Sequence, residues 1–420
     1  MKNTIKLLTA ALLAAVILFC GTACEYVSGA DASGVNIGSL PRYTVKPVQS
    51  AEPSSQTQST TPLPSSSQTE QTQEPPHTDP LPEFTNAITG EPSFFDSTGL
   101  LPIAVVIDNG SGALAHQTGV YDADVLYETL VAPGVTRFLG IYSDYRAVDL
   151  ICNVREGRAS DVYLASEFGA VLVCHGGING GESSGFKTAL AAFYGDENAY
   201  ISTVNEPAWT AQNASSLDTV KYYTDDYRTD IKYDTVLTPK AVDFVLSSEK
   251  YSPFVKCGGT LDGELKLPVK FAECDFDGES AKEFELVFTG SGIKTSLCKY
   301  VTMKYDEDAG VYKRYQGTQK HIDSESGEQL AYSNVLALFT DVTFTDGETT
   351  ASPIYTDVGV FGTGMGYYFF HGKGVRIIWS NDEKDGLVLY SADGEITLSS
   401  GKTYIAFLDK ANKSSVNIIK

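Results

Sequence analysis

The sequence predicts an α+β protein, in which an N-terminal mixed α/β domain is followed by a C-terminal, mostly antiparallel β domain. Three observations lead to this prediction. An apolar leader and a stretch rich in Ser, Thr, Pro and Gln precede the first strand pattern, which begins near residue 84. From there to residue 250, apolar runs typical of buried strands alternate with helix patterns. Residues 251–410 contain short β-rich runs separated by glycine turns, and residues 411–420 are predicted to form a tail.

The leader, residues 1–23, is predicted to be a lipoprotein signal peptide. Lys2 and Lys6 precede an apolar run that ends at Phe19 and is shorter than the roughly 20 residues of a membrane-spanning helix. Small residues then stand directly before Cys24, a pattern that resembles a bacterial lipoprotein processing site. We expect Cys24 to be lipidated, which places the protein outside the cytoplasm on the outer face of the cell membrane. Ordinary cleavage that leaves Cys24 as a free thiol stays open as an alternative.

Residues 24–83 are predicted to be a disordered tether. The stretch from residue 49 to 82 repeats Ser, Thr, Pro and Gln and offers too little apolar area to offset the entropy of ordering it. A flexible coil of about 60 residues spans roughly 40–45 Å. The folded part of the chain is therefore expected to stand away from the membrane.

The N-terminal domain, residues 84–250, mixes predicted strands and helices. Continuous apolar runs over residues 101–107 and 170–174 are typical of buried strands, and residues 135–142 alternate weakly. Helix patterns cover residues 158–168 and 184–193. A third helix is predicted over residues 241–246, because Thr238 and Pro239 supply an N-cap and a proline at the first helical position.

The C-terminal domain, residues 251–410, is predicted to be built from strands. Turn pairs such as His371-Gly372 separate its apolar runs. The segment from Gly362 to Gly366 contains three glycines but leads into aromatic β residues instead of a helix, so we predict a glycine turn between strands rather than a phosphate loop. The predicted strands cover residues 284–288, 300–305, 335–344, 367–370 and 375–379.

Charge and composition exclude several classes of function. The chain carries 31 Lys and Arg against 53 Asp and Glu, a formal net charge of −22 at pH 7. Such a surface repels nucleic-acid phosphates and anionic lipids, so we exclude nucleic acid as a partner and expect the lipid anchor to hold the chain to the membrane. The five histidines show no zinc-site spacing, and no C-x-x-C motif is present. We therefore expect neither a metal nor a cofactor.

One group of candidate binding residues lies near the predicted strand ends of the N-terminal domain. Arg155 and Arg158 stand three apart at the start of a predicted helix, where two guanidinium groups suit a carboxylate or a phosphate. His175 directly follows one buried strand and Asp108 ends another, and the carboxyl ends of such strands often open onto a crevice. The alternative is structural, with the arginines paired to Glu128, Asp122 or Glu156 and His175 bonded within a turn.

A second group lies in the C-terminal domain. Arg314, His321 and Asp323 fall in one β segment, and the spacing of two places His321 and Asp323 on one face of an extended strand. A His–Asp pair can orient an imidazole for acid–base chemistry. The alternative is that Asp323 stabilises a turn near residues 324–327 through bonds to the backbone.

Several blocks of the sequence resemble the YerB-type lipoproteins of Gram-positive bacteria. The blocks at 101–109, 117–128, 136–138, 154–158 and 173–177 carry the resemblance in the first half, and those at 305–306, 312–314, 321–323, 334–335 and 401–403 in the second. The chain departs from the family pattern at residues 114–116 and 152–153. The resemblance implies a lipid-anchored extracytoplasmic protein in two parts without established catalytic residues. The candidate ligand-binding residues are Asp108, Asn109, Glu128, Arg137, Arg155, Arg158, His175, Arg314, His321 and Asp323.

These observations predict a lipid-anchored binding or scaffold protein of the cell envelope rather than an enzyme. Its partner is expected to be an anionic cell-wall component or an envelope protein. The alternative is a hydrolase or transferase acting on the cell wall, using His175 or His321 together with Asp108 or Asp323.

Overall fold

The computed structural model describes most of the chain from residue 82 onward. The predicted signal peptide and almost all of the predicted tether lie outside the described residues, which all fall within the unit His77–Lys420. The described ranges are 82–94, 96, 101–110, 112–177, 185–202, 236–237, 242, 271–272, 278–288, 299–345, 355–383, 385–392, 394–412 and 415–420.

The first part of the fold combines strands with two α-helices that pack on each other. Helix α1 begins after Arg158, whose backbone N–H donates to the Asp161 carboxylate at 2.7 Å and so satisfies one of the free groups of the first turn. The elements are β1 (Phe84–Thr85), β2 (Pro92–Ser93), β3 (Ile103–Asn109), β4 (Val125–Ala132), β5 (Val135–Tyr142), a 3₁₀ turn (Tyr145–Ala147), β6 (Ile151–Cys152), α1 (Ala159–Glu167), β7 (Val171–Cys174), α2 (Gly185–Tyr194), β8 (Ile201–Ser202) and β9 (Val236–Leu237).

The second part of the described chain consists of strands joined by turns. They are β10 (Glu279–Ser280), β11 (Glu283–Phe288), β12 (Lys299–Asp306), β13 (Val311–Gln316), β14 (Gln319–Lys320), β15 (Ala331–Tyr332), β16 (Asn334–Thr340), β17 (Val342–Thr345), β18 (Tyr355–Val358), β19 (Gly362–Phe370), β20 (Lys373–Asp382), β21 (Gly386–Ser391), β22 (Gly394–Ile396), β23 (Thr403–Asp409) and β24 (Val416–Ile418).

One sheet contains strands from both parts of the chain. Among the described residues it has twelve strands, in the order β22-β21-β20-β19-β16-β23-β4-β5-β3-β7-β8, with β10 paired to β20. Strand β23 forms the junction: Tyr404 lies opposite Val335 of β16 on one side and Leu126 of β4 on the other, and both pairings are parallel. The predicted domain boundary at residue 250 lies outside the described residues and stays a prediction.

A second sheet packs against the first. Its order is β14-β13-β12-β11-β24, with β15 paired to β13. Stacked rings of Phe284 on β11 and Phe369 on β19, with centroids 3.7 Å apart, lie between the two sheets. Strand β24 falls within the predicted tail, where Ile418 pairs with Phe284. The last residues are therefore part of this sheet.

The predicted fold class is confirmed: an α/β part precedes a mostly antiparallel β part. Two predictions about elements are wrong. The single run predicted over residues 335–344 is divided into β16 and β17, and the glycines from Gly362 to Gly366 form the first half of β19 rather than a turn. A side chain is excluded at Gly364, because a Cβ there would lie 2.5 Å from the Phe339 carbonyl oxygen. Of the predicted helix over residues 241–246, the described residues include only Val242.

Candidate functional site

The candidate residues of the first part meet at the carboxyl ends of β3 and β7. These strands are parallel neighbours, with Val105 opposite Val173. The segment after β6 runs alongside both strands: the Arg155 N–H donates to the Val106 carbonyl at 2.9 Å, and the His175 N–H donates to the Arg155 carbonyl at 2.8 Å. The structure therefore brings Arg155 and His175 to the strand end that also carries Asp108.

Asp108, Arg137, Arg155 and Glu156 form a partly exposed group that we call the outer cluster. Arg137 donates from Nη2 to Glu156 Oε2 at 2.7 Å and from Nη1 to the Glu156 carbonyl at 2.5 Å. Arg155 Nη2 lies 3.3 Å from the same carboxylate oxygen. Burial opposes ionisation of Glu156, but Arg137 and Arg155 outweigh it and lower the pKa of this carboxyl group. The Glu156 carboxylate thus interacts with two guanidinium groups, those of Arg137 and Arg155.

Arg155 retains hydrogen-bonding capacity in this arrangement. Its Nε lies 3.8 Å from Asp108 Oδ2, an ion-pair distance that is too long for a hydrogen bond, and it has no hydrogen-bond acceptor among the described residues. Asp108 instead accepts at Oδ1 from the Gly110 N–H at 2.9 Å. The side chain of Arg155 is 17% exposed and that of Glu156 is 29% exposed, so solvent reaches both.

Arg158 and Asp161 lie beside the outer cluster at the start of α1. Arg158 occupies the N-cap position of α1, and its backbone N–H is bonded to the Asp161 carboxylate of the first turn. Asp161 is buried, and desolvation raises the pKa of its carboxyl group to about 6, although its bond from the Arg158 N–H opposes this shift.

A second group, the inner network, lies behind the outer cluster and is centred on the Glu128 carboxylate. Arg314 Nη2 donates to Glu128 Oε2 at 2.7 Å, and the Tyr404 hydroxyl donates to the same oxygen at 2.5 Å. Thr136 Oγ1 donates to Glu128 Oε1 at 2.6 Å, and Asn109 Nδ2 donates to it at 2.9 Å. The inner network consists of Asn109, Gln117, Glu128, Thr136, Lys299, Arg314, His321 and Tyr404.

His321 is held as a neutral imidazole within the inner network. Arg314 Nη1 donates to His321 Nδ1, because a guanidinium can only donate, and His321 Nε2 then donates to Gln117 Oε1. Burial lowers the pKa of His321, and the charges of Arg314 and Lys299 lower it further. Gln117 Nε2 continues the chain of bonds to the Asp108 carbonyl at 2.7 Å, which links the inner network to the strand that carries the outer cluster.

The inner network joins the two parts of the chain. Arg314 on β13 is 186 residues from Glu128 on β4, and its guanidinium lies between the rings of Phe138 and Tyr404 at 5.1 and 5.7 Å from their centroids. Glu128, Arg314 and His321 are all 0% exposed. A ligand would reach these three side chains only if the network opened, so the structure favours a structural role for them.

Lys299 adds a second cation to the inner network. Its ammonium group donates to the Asn109 carbonyl and lies 3.9 Å from Glu128 Oε1. Burial lowers the pKa of Lys299 to about 7, and Arg314 contributes in the same direction while Glu128 opposes it.

Asp323 lies in a turn and is separate from the His321 ring contacts. Its Oδ1 accepts from the backbone N–H groups of Glu325 and Ser326 at 3.1 and 3.3 Å, and its Oδ2 accepts from the Tyr121 N–H at 3.1 Å. Both ring nitrogens of His321 are occupied by Arg314 and Gln117. His321 and Asp323 therefore do not form an acid–base pair. Asp323 instead stabilises a turn, and its bond from the Tyr121 N–H links the second part of the chain to the first.

Sequence reasoning missed several members of these groups. Gln117 was missed although it lies in a block that resembles the YerB-type pattern. Glu156 was predicted only as a structural ion-pair partner of the arginines, and it pairs with Arg155. Lys299 and Tyr404 carried no signal, because only the pairing of distant strands brings them to Glu128. Across the described part of the chain, no three His, Cys, Asp or Glu side chains are placed to hold a metal ion. Neither described helix is long and apolar enough to cross a membrane.

Comparisons with known proteins place the chain in a family. The family model "Protein of unknown function (DUF3048) N-terminal domain" matches residues 88–229, and its C-terminal counterpart matches residues 293–405. The chain is 23% identical over 317 residues to "Putative lipoprotein YerB" of Bacillus subtilis (strain 168). The matched residues are 75% of this chain and 83% of that protein. The crystal structure of the B. subtilis YerB protein shares the fold, with a TM-score of 0.60 at 19% identity, over 80% of this chain and 100% of that chain. The chain therefore belongs to the YerB-type family, which is defined by the two DUF3048 domains.

Proposed function

We propose that the chain is a lipid-anchored extracytoplasmic protein of the cell envelope that binds an anionic wall component through the outer cluster. The leader and Cys24 support the anchor, as does the similarity to the B. subtilis protein named "Putative lipoprotein YerB". The net charge of −22 repels an anion, and the outer cluster itself balances two arginines with two carboxylates, so binding depends on direct contact with a guanidinium.

The observation that carries the proposal is the state of Arg155. Arg155 stands beside the carboxyl ends of β3 and β7, and its side chain is 17% exposed. Its Nε is buried and has no acceptor among the described residues, so Asp108 and Glu156 do not use all the donors of this guanidinium. A guanidinium offers a planar pair of donors that matches a carboxylate or a phosphate. A ligand anion would bind the solvent-exposed side of the Arg155 guanidinium, while Glu156 keeps its two bonds to Arg137. Carboxylates of peptide stems and phosphates of wall polymers both have this chemistry.

The test is a titration of the purified protein with two ligands, a muropeptide that carries free carboxylates and a glycerol-phosphate oligomer. We expect measurable binding of one of them and a loss of at least about tenfold in affinity for Arg155→Ala, since one charge-assisted hydrogen bond contributes about 1.5–3 kcal/mol. Arg376→Ala is the matched control, because Arg376 is an exposed arginine on β20. Equal affinities of the wild type and Arg155→Ala, or binding of neither ligand, would contradict the proposal.

A further inference from the structure

A row of exposed apolar side chains crosses the face of the large sheet near its β22 edge. Met365 on β19 lies opposite Ile378 on β20, which lies opposite Tyr390 on β21. The three side chains are 70%, 57% and 41% exposed, whereas Trp379, on the other face of β20, is 1% exposed. Single exposed apolar side chains are common, but three that adjoin across three strands form a contiguous patch of the kind found at interaction sites. We call these three residues the apolar row.

The apolar row continues into a groove of about 780 Å³. Met365 and Ile378 line it together with Phe339 and Phe361. The groove is open because β19 is rich in glycine there: a Cβ on Gly362 would have no atom within 4 Å. The Phe361 ring packs against Phe193 of α2 and Tyr163 of α1, with ring centroids 5.8 and 5.2 Å away.

The charge around the apolar row is negative. Glu395 on β22 lies directly opposite Tyr390, and the face of β20 that carries Ile378 also carries Asp382 and one base, Arg376. Lys410 lines the groove, where Asp341 pairs with it at 2.6 Å. In sequence, residues 382–395 contain five acids and one base, Lys384. A second copy of this chain would bring like charge to this surface, since each copy has a net charge of −22. Charge complementarity therefore favours a basic partner.

The exposed side chains favour a protein partner over a glycan. Sugars stack on the faces of aromatic rings, yet Trp379 is buried, and its Nε1 donates to the Met365 carbonyl at 3.2 Å. Within the apolar row only Tyr390 has an aromatic face, and the rings of Phe339 and Phe361 in the groove pack on other aromatic rings. The two most exposed members of the row, Met365 and Ile378, offer no aromatic face, and methionine is typical of protein–protein contact surfaces. We propose that the apolar row and its groove dock a protein segment that combines apolar side chains with lysine or arginine. This proposal does not depend on anion binding by the outer cluster.

The test measures binding of designed peptides to the immobilised full chain by biolayer interferometry. The probe is a twelve-residue peptide of alternating Leu and Lys, and a Leu/Glu peptide of the same length is its charge-reversed partner. We expect the Leu/Lys peptide to bind and its affinity to fall at least tenfold in the double variant Met365→Ser/Ile378→Ser. Ile419→Ser is the matched control, since Ile419 is 45% exposed on a different strand end, and it should leave the affinity unchanged. Circular dichroism checks that each variant is folded, and Tyr390→Ser provides an independent third substitution in the row.

Three results would overturn this proposal. If the Leu/Glu peptide bound as tightly as the Leu/Lys peptide, charge complementarity would not explain the choice of partner. An unchanged affinity in both the double variant and Tyr390→Ser would show that the peptide binds elsewhere. Displacement of the peptide by chitotetraose, with loss of chitotetraose binding in the double variant, would identify the groove as a glycan site.

Discussion

Glu167 provides a direct test of how burial controls stability in this fold. The carboxylate lies at the end of α1, where Oε1 accepts from Asn381 Nδ2 at 2.6 Å and Oε2 is inaccessible to solvent. Burial raises the pKa of Glu167 from 4.5 to about 8, although the hydrogen bond from Asn381 and the nearby Tyr127 hydroxyl oppose this shift. The group is therefore mostly protonated at pH 7 in the folded protein and ionised in the unfolded chain.

The magnitude follows from these two pKa values. Because the folded pKa is raised, the folded state binds the extra proton, and stability falls as the pH rises from 4.5 to about 8. Relative to a neutral group, Glu167 lowers the free energy of unfolding by about 1 kcal/mol at pH 5, about 3 kcal/mol at pH 7 and about 5 kcal/mol at pH 9. Glu167→Gln removes the ionisation and keeps an oxygen for the Asn381 donor. The variant should therefore gain stability over the wild type as the pH rises, with a gain at pH 9 about 4 kcal/mol larger than at pH 5.

The assay is urea unfolding of the wild type and Glu167→Gln at pH 5, 7 and 9. Only the difference between the two proteins at each pH is used, because other groups also titrate. Lys299, with its folded pKa lowered to about 7, acts in the opposite sense: its contribution to stability rises with pH between about 7 and 10.5. This contribution is the same in both proteins and cancels. A stability difference that stays constant from pH 5 to pH 9 would refute the conclusion that burial holds Glu167 in its neutral form.

The remaining predictions concern the inner network and one glycine. Glu128→Gln leaves Arg314 and Lys299 buried without their counter-charge, so the free energy of unfolding in urea should fall by about 3–5 kcal/mol. Asp341→Asn breaks the exposed pair with Lys410 and should change the free energy of unfolding by less than about 1 kcal/mol. Equal effects of Glu128→Gln and Asp341→Asn would contradict the structural role assigned to the inner network. Gly401→Ala should lower the melting temperature more than Gly310→Ala, since both have a positive φ but only Gly401 would place its Cβ against Ser333 Oγ. Similar melting temperatures for the two alanine variants would show that Ser333 moves aside without cost.

Local structure was accessible from the sequence wherever short-range chemistry decides it. The apolar runs at residues 101–107 and 170–174 correspond to β3 and β7, and the two helix patterns correspond to α1 and α2. The turn at His371-Gly372 is also confirmed: both residues have positive φ, 46° and 73°, as a tight hairpin turn requires. The glycines before Tyr367 misled the prediction, because the reason for Gly364 is a carbonyl group of another strand, Phe339 on β16.

The candidate site shows the same division. The sequence indicated that His175 and Asp108 stand at strand ends and placed Arg155 at a helix start; the parallel pairing of β3 and β7 and the backbone bonds of Arg155 bring the three together. It could not indicate that Asp323 would cap a turn while Gln117 would take the place next to His321. Side chains that alternate on a strand share a face, but the partner of that face belongs to a different part of the chain.

The sequence by itself determined the leader pattern, the net charge, the fold class and the family blocks, because each depends on composition or on residues close together in the chain. Only the tertiary structure decided that β23 enters the sheet between β16 and β4, and with it that Tyr404 meets Glu128 across 276 residues. That choice depends on which buried surfaces fit one another. The same long-range pairing aligned Met365, Ile378 and Tyr390 into one exposed row, which no local pattern contained.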